Sequence, residues 1–273
     1  MQYTITNPSN LLGYSNFVAF ALTILVNGVA GSTTLLGGKN TAMVSNTYFT
    51  LVTPAGYVFS IWGVIYILLG VFVVYQAQEK NKGKEFQKRI GWLFVMSSLA
   101  NIFWIFLWQY EYLPLSVVLI FLLLASLVAI YLRLAIGKKS SVGIQERIAV
   151  HLPFSVYLGW ITVATIADVA AALVSIHWNG FGVGPETWAS AAILIALLIT
   201  TLVIITRKDI AYSLVIIWAL VGIAESHVGN MTIVLLAQAS AIIVGVIVAT
   251  LIIANIQHKS HISQGKVDTA SAK

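Results

Sequence analysis

The feature that most constrains this chain is a succession of long apolar runs without a charged residue. Residues 113–132 and 148–167 are two such runs, and each matches the ~20 residues needed to cross the hydrocarbon core of a bilayer. Of the 273 residues, 59% are hydrophobic and only 9% are charged, which is too few for the polar shell of a soluble domain. The runs are continuous and do not alternate as barrel strands do. They therefore predict an all-α, polytopic membrane helix bundle.

Eight membrane-spanning helices are predicted, at residues 14–33, 55–77, 90–110, 114–136, 148–176, 187–206, 210–226 and 231–256. The fifth span is long enough to be tilted or kinked, and the seventh is short. Residues 1–13 would form a short N-terminus, and the polar residues 257–273 are predicted to be a disordered tail.

The basic residues predict the orientation of these spans. With eight crossings, all but one of the 15 Lys and Arg residues fall on the side of the termini, and the exception is Lys39 in the 33–54 loop. By the positive-inside rule, both termini are expected in the cytoplasm, with the protein in a plasma or inner membrane. The net charge of +6 then reflects topology, and no nucleic-acid partner is expected. The chain has no cysteine, which excludes disulfides and thiolate chemistry.

Polar and aromatic side chains recur on one face of three of these spans. Trp62 and Tyr66 are four residues apart in the second span, and Asn27 lies in the first. The third and fifth spans carry two longer stripes, Asn101, Trp104 and Trp108, and Tyr157, Trp160, Ala164 and Asp168. At about 1.5 Å per residue, most of these groups lie at a similar depth in the outer half of the membrane, with Tyr157 deeper. They predict a cavity that opens outward.

Other interpretations compete with a cavity. Trp and Tyr are also common in interfacial belts, which is the interpretation favoured for Trp108, Tyr110, Tyr112, Trp178 and Trp188. Asn101 could bond to a neighbouring helix, and Asp168 could be a structural hydrogen-bond partner instead of a functional carboxyl group. Asp209 is interpreted as a solvated helix cap, and Glu225 and His227 as parts of a solvated loop. No metal site is expected, because no second His, Asp or Glu lies at ligand spacing from His151.

Small residues recur at every fourth position of the last span. They are Ala237, Ala241, Gly245 and Ala249. Such a ladder lets helix backbones approach closely, either within the bundle or in a homodimer.

Three segments resemble the tryptophan-rich sensory protein family, also called TspO or translocator protein. Residues 53–66 read TPAGYVFSIWGVIY, residues 101–104 read NIFW, and residues 152–168 read LPFSVYLGWITVATIAD. The family has a Pro-x-Gly-Trp-x-Phe…Trp-x-x-x-Tyr element opening its second helix, Asn-x-x-Trp in its third, and Pro…Trp-x-x-x-Ala-x-x-x-Asn in its fifth. The counterparts in this chain are Pro54, Gly56, Tyr57, Phe59, Trp62, Tyr66, Asn101, Trp104, Pro153, Trp160, Ala164 and Asp168.

This chain departs from the family pattern in three ways. Tyr57 stands where the family has Trp, one residue is missing between Phe59 and Trp62, and Asp168 replaces the usual Asn. The resemblance covers residues 14–176, and residues 177–256 would add three more helices to the five-helix core.

The resemblance implies a five-helix bundle with an aromatic ligand pocket that is closed by the loop after the first helix. Members of the family are associated with tetrapyrroles such as haem and protoporphyrin, and with sterols in animals. It therefore implies a hydrophobic small molecule as partner, beside the lipid bilayer, with no resident cofactor. The expected pocket residues are Pro54, Tyr57, Phe59, Trp62, Tyr66, Asn101, Trp104, Tyr157, Trp160, Ala164 and Asp168. No His lies at pocket depth, so the ligand would not be held through iron.

Three functions remain in competition. The first is a sensor or regulator that binds a tetrapyrrole-like ligand, which is not an enzyme. The second is a transporter in which Asp168, together with Glu225, exchanges protons with a hydrophobic substrate. The third is a membrane enzyme that degrades porphyrin, which a Trp-rich pocket would permit without indicating it.

Overall fold

The computed structural model describes residues 8–138 and 142–271, with side chains for residues 11–138 and 142–257. Over these ranges the chain is helical, without strands. Eight long helices follow one another: α1 (Pro8–Ser32), α2 (Ile61–Ala77), α3 (Leu93–Gln109), α4 (Leu113–Leu134), α5 (Leu152–Ser175), α6 (Pro185–Arg207), α7 (Ile210–Ser226) and α8 (Met231–Ser271). Short helical turns occupy Thr41–Thr47, Gly56–Ser60, Glu79–Asn81, Glu85–Ile90, Ile144–Glu146, Arg147–His151 and Gly180–Gly182.

The predicted helical membrane bundle is confirmed. In the described part of the chain, six helical segments are long and apolar enough to cross a membrane, namely Leu11–Ser32, Gly56–Ala77, Leu113–Leu134, Ile144–Ser175, Pro185–Arg207 and Met231–Gln257. Helices α3 and α7 are apolar but shorter, at 17 residues each. It stays a prediction that α3 and α7 also cross the membrane, which would bring the total to eight crossings.

The connections lie alternately at two ends of the bundle. At the end that we call the loop end, Tyr48 donates to Glu111 and Asn230 donates to Glu186, so the connections after α1, α3, α5 and α7 meet there. At the opposite end, Arg89 donates to the carbonyl of Arg133 and Arg207 to that of Ile136. Most of the basic residues belong to this second end, as the sequence pattern requires. Which end faces the cytoplasm remains a prediction.

Helices α1 to α5 form a closed ring. Helix α1 packs on α2 and α3, α3 on α4, α4 on α5, and α5 returns to α2. The three C-terminal helices pack on one another and attach to the ring through α7, which lies along α5, whereas α6 touches α5 only sparsely. Ala237 and Ala241 of the small-residue ladder are buried in these contacts, whereas Ala249 is exposed. The homodimer stays a prediction.

Helix boundaries differ from the sequence expectation at both termini. Helix α1 already starts at Pro8, and α8 continues to Ser271 through the segment expected to be disordered. Residues 257–271 contain no proline, and extending a formed helix avoids the cost of nucleating a new one. The long fifth span contains a π-helical turn at Arg147–His151, just before Pro153.

Candidate functional site

A cavity lies inside the five-helix ring near the loop end, and we call it the aromatic cavity. It contains about 550 Å³ of empty space, part of it open to the outside. Its lining comes from the loop after α1, from the start of α2, and from α3 and α5. The residues are Thr41, Ser45, Tyr48, Thr53, Pro54, Phe59, Trp62, Trp104, Trp108, Trp160, Val163, Ala164, Ala167, Asp168 and Ala171.

The start of α2 brings two rings to this cavity. Pro54 cannot continue a helix and disfavours helical geometry in the residue before it, so the chain enters α2 through a turn. That turn, Gly56–Ser60, is a 3₁₀ helix. Phe59 lies near the end of this turn and Trp62 in the first turn of α2, and their spacing of three residues places both on one face. Both side chains line the cavity.

The stripe on α5 explains why space remains at this point. Trp160, Ala164, Asp168 and Ala171 recur at intervals of three or four residues on one face of the helix. Three of the α5 residues in the lining are alanines, whose short side chains cannot reach the rings opposite. The cavity is thus an aromatic wall facing a small-residue wall.

Trp62 is the centre of the aromatic wall. Its ring centroid lies 6.2 Å from both Trp104 and Trp160, at interplanar angles of 30° and 83°. Phe59 meets Trp160 edge to face at 5.8 Å, and Trp104 lies 6.0 Å from Trp108. These are the offset and edge-to-face arrangements that aromatic rings prefer. The ring planes therefore differ in orientation around one space.

Among the described residues, Asp168 is the only one that brings a carboxyl group to the cavity lining, and it is 2% exposed. The Ser116 hydroxyl of α4 lies 2.9 Å from Asp168 Oδ1 and also 2.8 Å from the carbonyl oxygen of Leu113. A hydroxyl has one proton and can donate to one of these acceptors at a time. Ser116 can therefore donate to the Asp168 carboxylate, and it can instead accept from a protonated Asp168 while it donates to Leu113.

Two buried indole N–H groups belong to the cavity walls. Trp160 and Trp104 are 2% and 5% exposed, and neither Nε1 atom has a hydrogen-bond partner within the described residues. Trp104 Nε1 lies beside Asp168 but outside hydrogen-bonding geometry. A buried donor without an acceptor costs about 1–3 kcal/mol.

A chain of polar side chains lies beneath the cavity. Asn27 of α1 donates to Asn101 Oδ1 at 2.6 Å, and Asn101 Nδ2 donates to the Tyr157 hydroxyl at 3.1 Å. All three side chains are buried. These hydrogen bonds link α1, α3 and α5. Asn101 therefore bonds to neighbouring helices, which was the alternative to a place in the cavity.

The loop after α1 is fastened over the cavity from the end of α3. Gln109 Nε2 donates to the carbonyl of Lys39 at 2.8 Å, and Trp108 Nε1 donates to that of Thr41 at 3.3 Å. Gly37 has a φ of +68°, and a Cβ there would overlap the Gln109 carbonyl oxygen. The close approach and the left-handed backbone together require glycine at this position.

An ion pair completes this fastening. Glu111 accepts a 2.8 Å contact from Lys39 Nζ and a 2.7 Å hydrogen bond from the Tyr48 hydroxyl. The hydrogen bond from Lys39, followed by that from Tyr48, holds the pKa of the Glu111 carboxyl below its ordinary value. The same hydrogen bond to Glu111 raises the pKa of Tyr48.

The rim of the cavity is held from the other side by α7. Trp218 Nε1 donates to the carbonyl of Val58 at 3.1 Å, and the N–H of Ala55 donates to that of Gly222 at 3.0 Å. His227 Nε2 lies 3.0 Å from the carbonyl oxygen of Thr50. The segment that supplies Thr53, Pro54 and Phe59 is therefore braced by a helix outside the five-helix ring.

The structure separates the predicted pocket residues into two groups. Seven line the aromatic cavity, namely Pro54, Phe59, Trp62, Trp104, Trp160, Ala164 and Asp168. Four do not. Tyr66 stacks on Trp62 from behind, Asn101 and Tyr157 lie beneath, and Tyr57 is half exposed against Trp218.

Three residues differ from the sequence interpretation. Trp108, expected in the interfacial belt, is 6% exposed and lines the cavity. Its spacing of four residues from Trp104 was the available signal. Asp209 does cap α7, accepting from the N–H of Tyr212, but it is buried and also accepts from Ser155. His227 is buried beneath Phe49 and not solvated, because α7 packs its end against the loop.

Comparison with known proteins gives one match. A family model described as TSPO-like protein matches residues 13–253. The match includes α6, α7 and most of α8, and so extends beyond the five-helix core that the sequence motifs covered. No curated protein and no solved structure matches the chain. The chain therefore belongs to the TSPO-like protein family, as a multi-pass integral membrane protein.

Proposed function

We propose that this TSPO-like protein is a membrane sensor or regulator that binds a flat, conjugated, hydrophobic molecule of the tetrapyrrole type in the aromatic cavity. The observation that supports it most is the wall of four indole rings, Trp62, Trp104, Trp108 and Trp160, around one space. Indole faces and edges stabilise a flat conjugated ring by stacking and edge-to-face contacts.

The polar groups of the cavity suit the edge of such a molecule. The Nε1 atoms of Trp104 and Trp160 can donate to a carbonyl or carboxyl group of the ligand. An apolar cavity with a few convergent polar groups is the usual design of a small-molecule site. No His lines the cavity among the described residues, so the ligand would be held by its ring faces and its edge.

Titration with metal-free protoporphyrin, read by quenching of tryptophan fluorescence, tests the proposal. Trp62→Leu and Trp108→Leu should each weaken binding by about 1 kcal/mol, or about fivefold, because each removes an aromatic contact. Trp188→Leu is the matched control, since Trp188 is 43% exposed and outside the cavity. Equal affinities in all three variants would exclude the aromatic cavity as the binding site.

A second function, proton-linked transport of a hydrophobic molecule, is favoured by Asp168 and its contact with Ser116. Glu225, the other carboxyl considered for this role, is exposed and outside the cavity lining. Porphyrin flux into proteoliposomes under an imposed pH gradient distinguishes the two functions. A sensor binds porphyrin without gradient-driven flux. A transporter shows such flux, and Asp168→Asn abolishes it.

A further inference from the structure

A second cavity, which we call the apolar cavity, lies between α5 and the C-terminal helices. It contains about 330 Å³ of empty space, part of it open to the outside. All ten lining side chains are aliphatic: Val52, Val163, Ile166, Ala192, Ile193, Ala196, Ile216, Ala219, Leu220 and Ile223. Since a site without polar partners does not hold water well, its natural occupant is a hydrocarbon.

The two cavities adjoin each other on either side of one side chain. Val163 lines both of them. Above it, Val52 lines the apolar cavity, whereas the next two residues, Thr53 and Pro54, line the aromatic cavity. One short segment therefore covers both spaces, and the Val163 side chain forms the partition between them.

The apolar cavity is elongated and has a lateral opening. Its α7 residues extend from Ile216 to Ile223, which is about 10 Å along the helix. Two lining residues, Ile166 of α5 and Ala192 of α6, are partly exposed, and these two helices touch only sparsely. A chain longer than the cavity can thus leave between α5 and α6 on the side that faces lipid.

From this arrangement we infer that the ligand is a flat conjugated ring with an aliphatic tail, and that the tail passes Val163 into the apolar cavity. The inference rests on the proposed function, because the ring occupies the aromatic cavity. It also gives the C-terminal helices a role in specificity. Without α6 and α7 the tail would lie in lipid and contribute little to selection between ligands.

Two esters of one tetrapyrrole test this tail site, namely the methyl ester and the phytyl ester of pheophorbide a. They share a metal-free ring and differ only in the aliphatic alcohol. Binding of each ester is measured by tryptophan quenching on purified protein in one detergent, so that partition into micelles is the same for every variant. We expect the phytyl ester to bind the wild-type protein at least about tenfold more tightly, because burial of methylene groups is favourable.

Filling the apolar cavity should remove this preference. Ala192→Leu and Ala196→Leu each place a larger side chain in the space, and we expect a loss of about tenfold for the phytyl ester with no change for the methyl ester. Ala191→Leu is the control, because Ala191 neighbours Ala192 but does not line the cavity. Unchanged methyl-ester binding also shows that the variants fold.

The outcomes distinguish a failure of the tail site from a failure of the proposed function. If the wild-type protein does not distinguish the esters, or both cavity variants leave phytyl-ester binding unchanged or weaken both esters equally, the tail site is wrong. In those cases the proposed function stands as long as Trp62→Leu weakens methyl-ester binding. If neither ester binds, or Trp62→Leu has no effect on the methyl ester, both proposals fall.

Discussion

At the scale of single residues, the aromatic cavity contains donors that the protein itself leaves without acceptors. Trp160 Nε1 is buried and has no partner within the described residues, whereas Trp188 Nε1 donates to the carbonyl of Gly180 at 3.1 Å. The indole N–H of Trp160 therefore lowers stability, whereas that of Trp188 contributes a satisfied hydrogen bond.

Substituting each with Phe measures this difference. Trp160→Phe keeps a ring and removes a buried donor that costs about 1–3 kcal/mol, so the free energy of unfolding should stay equal or rise. Trp188→Phe should lower it by about 1 kcal/mol, because a satisfied hydrogen bond is lost. Thermal unfolding in detergent measures both. Trp160→Phe should also weaken porphyrin binding if the ligand accepts from Nε1. Equal destabilisation by the two variants would mean that Trp160 Nε1 has a partner.

A second prediction at this scale concerns proton exchange at Asp168. The Ser116 hydroxyl lies within hydrogen-bonding distance of Asp168 and of the Leu113 carbonyl, and a protonated Asp168 could donate to it. The amide of Asn can donate to Ser116 permanently, so Asp168→Asn mimics the protonated state and keeps the side-chain shape. We expect ligand affinity to depend on pH in the wild type, and this variant to lose that dependence while still folding.

The measurement is a set of porphyrin titrations at several pH values. Ser116→Ala is a useful second variant, since it removes the hydroxyl and leaves the carboxyl group titratable. Parallel pH profiles for the wild type and Asp168→Asn would show that Asp168 is a structural partner only, and would remove the main support for the transporter.

At the scale of elements, the bracing of the cavity rim by α7 depends on one close approach. A Cβ on Gly222 would overlap Cγ2 of Val58 and lie 3.5 Å from Cβ of Pro54. Gly222 thus allows α7 to contact the turn that supplies Phe59 to the cavity. The helix outside the ring thereby controls the position of a cavity wall.

Gly222→Ala should therefore displace the turn. We expect a loss of about 1–3 kcal/mol in the free energy of unfolding, the usual cost of overpacking, together with weaker porphyrin binding. Gly245→Ala is the matched control, because a Cβ built there meets nothing within 4 Å among the described residues beyond its own helix backbone and chain neighbours. That change should be neutral or slightly stabilising, as Ala favours a helix. Equal effects on unfolding would contradict the bracing role of α7.

The fastening of the loop after α1 should respond to pH. Since Lys39 and Tyr48 lower the pKa of Glu111 in the folded state, the contact contributes stability above the ordinary carboxyl value of 4.5. That contribution is lost as the pH falls through the lowered value. Both side chains of the ion pair are about one-third exposed, so the effect should remain below about 1 kcal/mol.

This contribution is measured by the unfolding temperatures of the wild type and of Glu111→Gln, each determined at pH 7 and near pH 3. We expect the difference in unfolding temperature between the two proteins to be present at pH 7 and to vanish near pH 3. A difference that grows as the pH falls would have the wrong sign for a carboxylate held by Lys39.

At the scale of the whole molecule, the alternation of helix ends predicts the topology. Among the described residues, the connection that contains Lys39 and the segments that carry most of the other basic residues lie at opposite ends of the bundle. Reporter fusions at the C-terminus and within residues 33–54 should therefore report opposite sides of the membrane, with the C-terminus in the cytoplasm. If the C-terminus lay on the same side as residues 33–54, the whole chain would cross the membrane an odd number of times. That result would exclude the eight-span arrangement.

The sequence alone determined the helices, the two ends of the bundle and one face of each important helix. These properties are local. The length of an apolar run decides whether a helix can cross a bilayer, and a period of 3.6 residues places Trp160, Ala164 and Asp168 on one face. For the same reason the motifs of residues 53–66 and 152–168 were sufficient to indicate the family.

The tertiary structure alone decided what covers each face. Trp108 and Trp188 both lie near helix ends, but only Trp108 turns to the cavity, because the loop after α1 closes over it. The partner of Asp168 is Ser116, 52 residues away on α4. Both the α7 brace and the apolar cavity depend on how the C-terminal helices dock against α5. Helical periodicity gives the direction of a side chain, but the neighbour it meets depends on packing between distant parts of the chain.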